Sequence, residues 1–373
     1  MSEYQHYEWQ TIDRALSLAE QREVNQLSSH MDTVTSTQAV VTYSWGDFKH
    51  DPQEVLLKYF DAFLYDSNFG SRRLIFRLPA ALVDVEAIRA YCVEEWIMLE
   101  DHGKYLTLEI IGENDNGYEW VESDDTLSQL IPLRDQLLQG DYRMLYVVWL
   151  KAMQEQLDED GEEISPPIPA GLNSLNASLQ VLIEFFEISP HIIRAAATFS
   201  KKTEVAPASD LSSLIPKLTR AEADQHLLQL LRGEPGALIA LKKRLMSLSG
   251  DKTPINSPIG VSISELTEQA EQIEREAARK AREEAEQRRL EKLERLARNE
   301  EATWRKVEDL LVQKRAGAYD EATSLLVELK ELATYQKKMD EYRNHFQFIR
   351  LKYGKSIALL ERFKRAGLLS DQP

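Results

Sequence analysis

Alternating apolar and polar positions in the first 160 residues predict a series of short strands. In residues 72–78 apolar side chains recur at every second position, which is typical of a strand with one buried face, and Pro79 ends the pattern. Related patterns, rich in Val, Thr and aromatic residues, predict strands at 4–12, 38–45, 96–100, 105–111 and 118–122. The last two are joined around Asn116-Gly117, a dipeptide typical of a tight hairpin turn.

Helix start signals lie between these strands. Ser17 and Glu20 have the spacing of a capping box. Asp51 followed by Pro52 starts a second helix, whose apolar face continues at intervals of three or four residues to Phe63. Further helices are predicted at 83–92, after a cap at Thr126, and at 142–157. Residues 1–160 are therefore predicted to form an α+β domain with a mixed, mostly antiparallel sheet.

Composition changes divide the rest of the chain. An acidic, proline-rich linker is predicted at 161–170, an all-α middle domain at 171–249, and a second linker, rich in Pro, Ser and Gly, at 250–261. No Gly or Pro occurs in 262–315, which predicts a long charged helix. Five Glu→Lys/Arg pairs four residues apart support this helix, at roughly 0.2–0.5 kcal/mol each. A terminal helical bundle follows at 318–367.

The long helix has two interpretations. Its two ends carry apolar residues at intervals of three or four, as a coiled coil requires, but its centre offers only Ala281 and Ala285. A weak coiled coil and a lone charged helix both fit. As a lone helix, it would be a spacer between an acidic globular half and a basic helical tail.

Charge and cysteine content limit the class of protein. The net charge is −17, so the chain as a whole repels nucleic acid and anionic membranes. Cys92 is the single cysteine, which excludes an intramolecular disulfide and a cysteine-based zinc site. The first 13 residues lack the apolar run of a signal peptide, and no apolar stretch is long enough to span a membrane. We therefore expect a cytoplasmic protein without membrane contact.

Local catalytic motifs are absent from the sequence. No phosphate-binding loop, dinucleotide-binding glycine motif or nucleophile elbow occurs. No two of the seven histidines are two, three or four residues apart, as a local zinc pair would require. The sequence thus predicts no catalytic residue, no cofactor and no metal ion. An enzyme built from distant residues on the N-terminal sheet, near Arg73, Arg77 and Glu109, stays an alternative.

Three small groups of residues have both a functional and a structural interpretation. Arg72, Arg73 and Arg77 would bind a phosphate or carboxylate, or would form a polar sheet face balanced by the nearby acidic hairpin. Residues 94–125 hold eleven carboxylates and one basic residue, which suits a metal site, a docking face for a basic partner, or simply a solvated hairpin face. Cys92 with His102 would form a thiol–imidazole pair, or Cys92 is a buried structural residue.

The C-terminal helices reverse the charge of the chain. Between residues 335 and 366 nine basic residues face three acidic ones, a net charge of +6. The nine are Lys337, Lys338, Arg343, Arg350, Lys352, Lys355, Arg362, Lys364 and Arg365. The aromatic residues between them are Tyr342, Phe346, Phe348, Tyr353 and Phe363. This pattern suits binding of a nucleic-acid backbone. Their helical spacing suits a core equally well, and the basic side chains would then meet an acidic surface of this chain or of a partner.

Several segments resemble an uncharacterised family of bacterial proteins with no assigned activity. The segments are Tyr4-x-x-Tyr7-Glu-Trp-Gln-x-Ile12-Asp-Arg14, Thr42-Tyr-Ser-Trp-Gly-Asp-Phe48, Lys58-Tyr-Phe-Asp-Ala-Phe-Leu64, Arg72-Arg-Leu-Ile-Phe-Arg-Leu-Pro79, and Thr303-Trp-Arg-Lys-Val-Glu308 with Tyr319-Asp-Glu-Ala322. The resemblance covers most of the chain and implies the bacterial cytoplasm. The C-terminal helices are also similar to those of some proteins with a SWIM-type zinc finger. The finger's own Cys-x-Cys and Cys-x-His pattern is absent, so the resemblance implies no zinc site.

The leading hypothesis from the sequence is a non-catalytic interaction or scaffold protein of the bacterial cytoplasm, with a protein partner. A nucleic-acid-associated accessory protein, binding through residues 335–366, is the first alternative. An enzyme with its site on the N-terminal sheet is the second.

Overall fold

A computed structural model describes residues 3–113, 125–156, 164–201, 211–234, 236–249 and 260–369. An antiparallel sheet in the N-terminal part is followed by helices, which confirms the predicted α+β domain and the helical segments after it. The strands are β1 (Gln5–Gln10), β2 (Met31–Val34), β3 (Gln38–Tyr43), β4 (Ala62–Ser67), β5 (Ser71–Pro79), β6 (Ile97–Asp101) and β7 (Tyr105–Glu113).

The helices fall in two compact units, Met1–Glu274 and Arg275–Pro373, whose boundary lies within α10. The first nine are α1 (Leu18–Asn25), α2 (Pro52–Tyr59), α3 (Val85–Arg89), α4 (Thr126–Leu138), α5 (Arg143–Gln156), α6 (Ala177–Phe185), α7 (Pro190–Phe199), α8 (Arg220–Leu231) and α9 (Ala237–Ser249). They are followed by α10 (Ile263–Arg298), α11 (Glu300–Gln313), α12 (Ala316–Gln336), α13 (Met339–Tyr353) and α14 (Ile357–Arg365). Short 3-10 turns occur at Ala80–Leu82 and Leu211–Lys217.

The sheet has the strand order β2-β3-β1-β4-β5-β7-β6, with every neighbouring pair antiparallel. The first strand of the chain is therefore an inner strand, held between β3 and β4. One face of the sheet packs on α4 to α7, and the other face packs on α1 and α2. Both faces are covered by helices over much of their area.

The sequence interpretation of β4 was wrong. The apolar pattern predicted that the helix starting at Pro52 carries its core face to Phe63, but α2 ends at Tyr59 and Phe60 is extended, with a φ of −126°. All six residues of β4 are buried. A strand that is covered on both faces has apolar residues at consecutive positions, so it shows no alternation and its spacing also fits a helix.

Two further expectations for the N-terminal part need correction. β5 was predicted to be half-buried, but Ile75 and Arg77 on its second face are buried too, since α2 packs there. α4 begins at Thr126 itself, after Asp125 in a left-handed conformation, so Thr126 is not the cap. The capping box at Ser17 and the cap at Asp51 are confirmed. The predicted strand at 118–122 and its Asn116-Gly117 turn lie outside the described residues.

The middle helices share a hydrophobic core with the sheet. Leu182 and Ile192 of α6 and α7 belong to the same buried cluster as Phe76 of β5. Described parts of the two predicted linkers meet, since the amide of Ser165 donates to the carbonyl of Val261 at 2.9 Å. The domain boundaries at 161–170 and 250–261 stay predictions, because the first compact unit extends past both of them, to Glu274.

The charged segment 262–315 forms two helices rather than one. Asn299, with φ −121° and ψ 19°, separates α10 from α11, and its side chain donates to the carbonyl of Arg295. Every residue from 278 to 289 is exposed. Beyond them, Leu293 is buried and Lys292 forms an ion pair with Glu328 of α12 at 2.7 Å. The choice between a lone helix and a coiled coil stays a prediction.

The C-terminal unit has its own apolar core. Side chains from α11 to α14 form it, including Val307, Leu326, Phe346 and Phe363. The Tyr342 hydroxyl donates to the carbonyl of Leu326 at 3.0 Å, so this buried phenol also has its polar partner. The described residues of this unit thus confirm the predicted terminal helical bundle.

A buried ionic network joins the sheet to α4. Asp61 is fully buried and accepts from Arg77 Nη2 at 2.6 Å and from the amides of Ile12 and Asp13 at 2.6 and 2.9 Å. Arg134, also fully buried, donates to the Asp13 carboxylate at 2.8 Å and to the carbonyl of Arg77 at 2.9 Å. Each charge in the network has an opposite charge beside it, as buried ions require.

Replacing Arg134 with alanine should destabilise the protein by about 3–5 kcal/mol, because the Asp13 carboxylate would lose its buried counter-charge. Urea unfolding followed by circular dichroism measures the change. The control is Arg14→Ala, which removes a solvent-exposed pair with Glu20 and should cost less than about 1 kcal/mol. Equal losses for the two variants would contradict a dominant role of the buried network.

Candidate functional site

The three arginines of β5 lie on different faces of the sheet. Arg73 and Arg77 share one face, and Arg72 lies on the other. Arg73 Nε donates to Glu109 at 2.7 Å, and the Arg77 guanidinium is held by Asp61 and lies over the Tyr105 ring, 4.5 Å from its centroid. A single anion site formed by all three arginines is therefore not assembled.

Arg72 makes its contacts on the face of the sheet that packs on α4 to α7. Its Nη1 donates to the carbonyl of Phe185 and to Glu187, both at 2.7 Å, and its Nε lies 3.4 Å from Asp66. The arginines of β5 thus have carboxylate partners, whereas the structural interpretation placed those partners in the acidic hairpin. Only Glu109 among those partners comes from the acidic stretch 94–125.

An enzyme site near Arg77 and Glu109 stays a prediction. An anionic substrate would compete there with carboxylates that already bind the guanidinium groups. The half-exposed Arg73 is the more accessible of the two arginines on this face.

Beside this pair, the same sheet face carries a polar group that includes a histidine. His102 Nε2 lies 3.0 Å from Thr107 Oγ1 and 3.6 Å from Glu100 Oε2, and Gln53 of α2 donates to Glu100 at 2.7 Å. A nucleophile relay needs the hydroxyl and the carboxylate on opposite ring nitrogens. Here both lie at Nε2, so the group does not have the geometry of a hydrolase triad. Sequence reasoning missed it, because Gln53 comes from a helix far away in the chain.

A second polar group lies on β1, on the opposite face of the sheet. Glu8 is buried, and its Oε1 accepts from the Gln10 and Gln38 amides at 2.6 and 2.7 Å. His6 Nε2 is 3.6 Å from Glu8 Oε2, an ion-pair distance that is too long for a hydrogen bond. Burial would raise the pKa of Glu8, but its contacts with His6 and the two amides lower it overall. Burial raises the pKa of nearby Asp66 in spite of the Arg72 charge.

This group was also missed from the sequence, although polar residues at every second position of β1 were its signal. In the described parts of the chain, no three His, Cys, Asp or Glu side chains are arranged to hold a metal ion. Of the acidic stretch 94–125, residues 114–124 lie outside the described residues. In the described part, Asp101 accepts from the amide of Gly103 and Glu109 is buried against Arg73.

Cys92 has a structural position. Its thiol donates to the carbonyl of Ile88 at 3.7 Å, and burial raises the pKa of the thiol despite the nearby charge of Arg89. His102 makes its contacts with Glu100 and Thr107 instead. The thiol–imidazole pair is therefore not formed.

The nine C-terminal basic residues divide into two sets. Three have carboxylate partners: Arg343 with Asp340 at 3.3 Å, Lys352 with Glu308 at 2.7 Å and Arg362 with Asp320 at 2.6 Å. The other six are exposed and have no carboxylate partner among residues 260–369; they are Lys337, Lys338, Arg350, Lys355, Lys364 and Arg365. These six cations are available to an external anion.

The aromatic residues between them are mostly core residues. Tyr342, Phe346 and Phe363 are buried in the C-terminal core, as their helical spacing indicated. Phe348 is 55% exposed, and the Lys352 ammonium lies 5.5 Å from its ring centroid. Phe348 lines a groove together with Trp304 and His345, whose rings stack at 4.9 Å.

Exposed apolar side chains accompany the unpaired cations. Leu351 is 77% exposed and Ile357 is 76% exposed. We call the exposed residues Phe348, Arg350, Leu351, Lys352, Lys355 and Ile357, which follow one another closely in sequence at the end of α13 and the start of α14, the α13–α14 surface. Phe348, Leu351 and Lys352 lie on one side of α13, because they are three and four residues apart.

No family model, curated protein or solved structure matches this chain. None of the helices that the structure describes is long and apolar enough to cross a membrane.

The Cys92 thiol should react slowly with a thiol reagent at pH 7 to 8, since only the thiolate attacks and burial disfavours it. Because the chain has one cysteine, labelling with Ellman's reagent reports this site alone. We expect a rate at least about tenfold below that of the same chain unfolded in guanidinium chloride. Equal rates in the two states would show that the thiol is accessible and reactive.

Proposed function

We propose that this chain is a non-catalytic adaptor that binds an acidic protein partner through the α13–α14 surface. The observation that carries the proposal is the exposure of Leu351 and Ile357 within the same short stretch of chain as the unpaired cations Arg350 and Lys355. Apolar side chains that are exposed together on a polar, charged surface are typical of a protein interaction site.

The charge of the two units supports an acidic partner. Residues 275–373 carry 23 basic and 18 acidic residues, a net charge of +5. Residues 1–274 carry 22 basic and 44 acidic residues, a net charge of −22. The basic unit attracts an acidic surface, whereas the acidic unit repels one, and this difference directs a partner to the C-terminal helices.

A protein suits this surface better than a nucleic acid does. Phosphate groups gain nothing from Leu351 and Ile357, and stacking of bases requires exposed aromatic rings. Three of the five aromatic residues in this region are buried. An acidic segment with apolar side chains would use both the cations and the apolar residues.

The test uses the full chain as bait in nuclease-treated extract of the host. The variant Leu351→Glu with Ile357→Glu should reduce capture of the partner at least about tenfold, because it places carboxylates opposite an acidic surface. The control Leu18→Glu changes an equally exposed leucine, 72% accessible, on α1 and should capture as the unchanged chain does. Equal capture of the partner by all three chains would contradict the proposal that this surface binds the partner.

The six unpaired cations also favour a second candidate function, binding of a nucleic acid through residues 335–366. A gel shift with single-stranded DNA over a salt series distinguishes it. A nucleic-acid function requires retention at about 150 mM salt and a linear fall of log K with log salt, less steep after Lys364→Glu with Arg365→Glu. The adaptor function expects no retention at that salt, because the whole chain is strongly acidic.

A further inference from the structure

Two segments that are far apart in the sequence meet immediately before α10. Ile164 and Ser262 form an antiparallel bridge. The amide of Ser165 donates to the carbonyl of Val261 at 2.9 Å, and the amide of Val261 donates to the Ser165 hydroxyl at 3.1 Å. We call these four residues, together with Gly260, the clasp. Helix α10 begins at the residue that follows it.

Both sides of the clasp are attached to neighbouring structure. The segment after Ser165 is fixed by Tyr91, a buried residue whose hydroxyl donates to the carbonyl of Pro167 at 2.7 Å. The Ser262 hydroxyl accepts from the amide of Glu265 at 3.2 Å and so caps the first turn of α10. The clasp therefore connects the core of the N-terminal unit to the start of α10.

Gly260 allows the two segments of the clasp to approach this closely. A Cβ atom at this position would overlap the carbonyl oxygen of Ser165 and the side chain of Ile164. The carbonyl belongs to the backbone of the clasp itself, so a larger residue at position 260 would force the two segments apart.

Beyond the clasp, α10 is docked by one apolar stripe. Ile263, Leu266 and Ala270 are buried in the core that the sheet shares with α4 to α7, and Ile273 packs against that core. Their spacing of three, four and three residues is that of a coiled-coil seam. A seam that is buried in the N-terminal unit cannot pair with another helix, so docking and coiled-coil pairing exclude each other.

Docking leaves one polar atom of α10 without a partner. Thr267 lies four residues after Ile263, on the same side of the helix, and its hydroxyl oxygen is buried with no hydrogen-bond partner in the described structure. A buried unpaired hydroxyl has lost its hydration, and it regains water when the helix lifts away from the core. Apolar burial thus favours the docked helix, and this hydroxyl favours its release.

The helix does not need the core to remain a helix. Residues 278–289, further along α10, are all exposed and still helical. Ion pairs one turn apart support them, such as Arg279 with Glu283 and Arg288 with Glu284. A start of α10 that left the core would therefore stay helical.

We propose that the clasp is a latch, which holds residues 263–274 of α10 on the N-terminal unit and releases them as one helical segment when it opens. The closed latch covers the apolar stripe, and the open latch frees it for contact with another helix. All the residues of the latch and of the docked segment belong to the N-terminal unit. The proposal is therefore independent of the adaptor function of the α13–α14 surface.

Hydrogen exchange of the full chain, followed by mass spectrometry, measures opening of the latch. In the unchanged chain the amides of 263–274 should exchange more slowly than those of 278–289, because the docked segment must first be released. Gly260→Ala should speed exchange in 263–274 at least about tenfold, towards the rate of 278–289, and should leave β4 unchanged. The control is Gly317→Ala on α12, where a Cβ meets open space, and it should leave both segments unchanged.

Thr267→Val tests the latch in the opposite direction and does not depend on how well Gly260→Ala folds. Valine has nearly the shape and helix propensity of threonine but no hydroxyl, so exchange in 263–274 should slow at least about threefold. Unchanged or faster exchange in this variant would show that the hydroxyl does not favour release, and would overturn the two-state balance.

The position of the change in exchange decides the role of the clasp. Exchange in 263–274 that Gly260→Ala leaves unchanged would overturn the latch. A loss of protection that is as large in β4 as in 263–274 would also overturn it, since the clasp would then support the whole unit rather than the docked segment.

Discussion

The buried contact between Arg77 and Asp61 joins four parts of the N-terminal unit that are far apart in the sequence. Asp61 also accepts from the amides of Ile12 and Asp13, and Arg134 connects Asp13 to the backbone of β5. Burial alone would raise the pKa of Asp61, but the charges of Arg77 and Arg134 and the two amides lower it overall. The network therefore contributes its full stability above the ordinary pKa of aspartate, and loses it only as pH falls through the lowered value.

The buried ionic network explains why the arginines of β5 mainly stabilise the fold. Guanidinium groups on a strand that is covered on both faces must have partners inside the protein. Charged side chains that need no partner inside the protein lie on solvent-exposed helices. The C-terminal unit, with its net charge of +5, carries them beside exposed apolar residues, and α8 carries neutral ion pairs beside exposed leucines.

Local signals in the sequence predicted local structure well. The caps at Ser17 and Asp51 depend on residues two or three positions away, so both were visible in the sequence. The strand β4 was missed because burial on both faces removes alternation. The ionic network could not be predicted, since Arg134 and Asp13 are 121 residues apart and no local pattern around either residue indicates the other. For the same reason the polar groups around Glu8 and His102 became visible only in the folded sheet.

The strand order has a consequence for how the chain folds during synthesis. β1 is made before its two partner strands, β3 and β4, so it cannot form both pairings until residue 67 has been translated. Arg134, which pairs with Asp13 shortly after β1, emerges later still. Pairings between distant segments are slow to form, and unpaired strands are prone to misassembly. The aromatic strand β1 of a nascent chain thus needs protection until β3 and β4 have been made, by a chaperone or by rapid translation of these two strands.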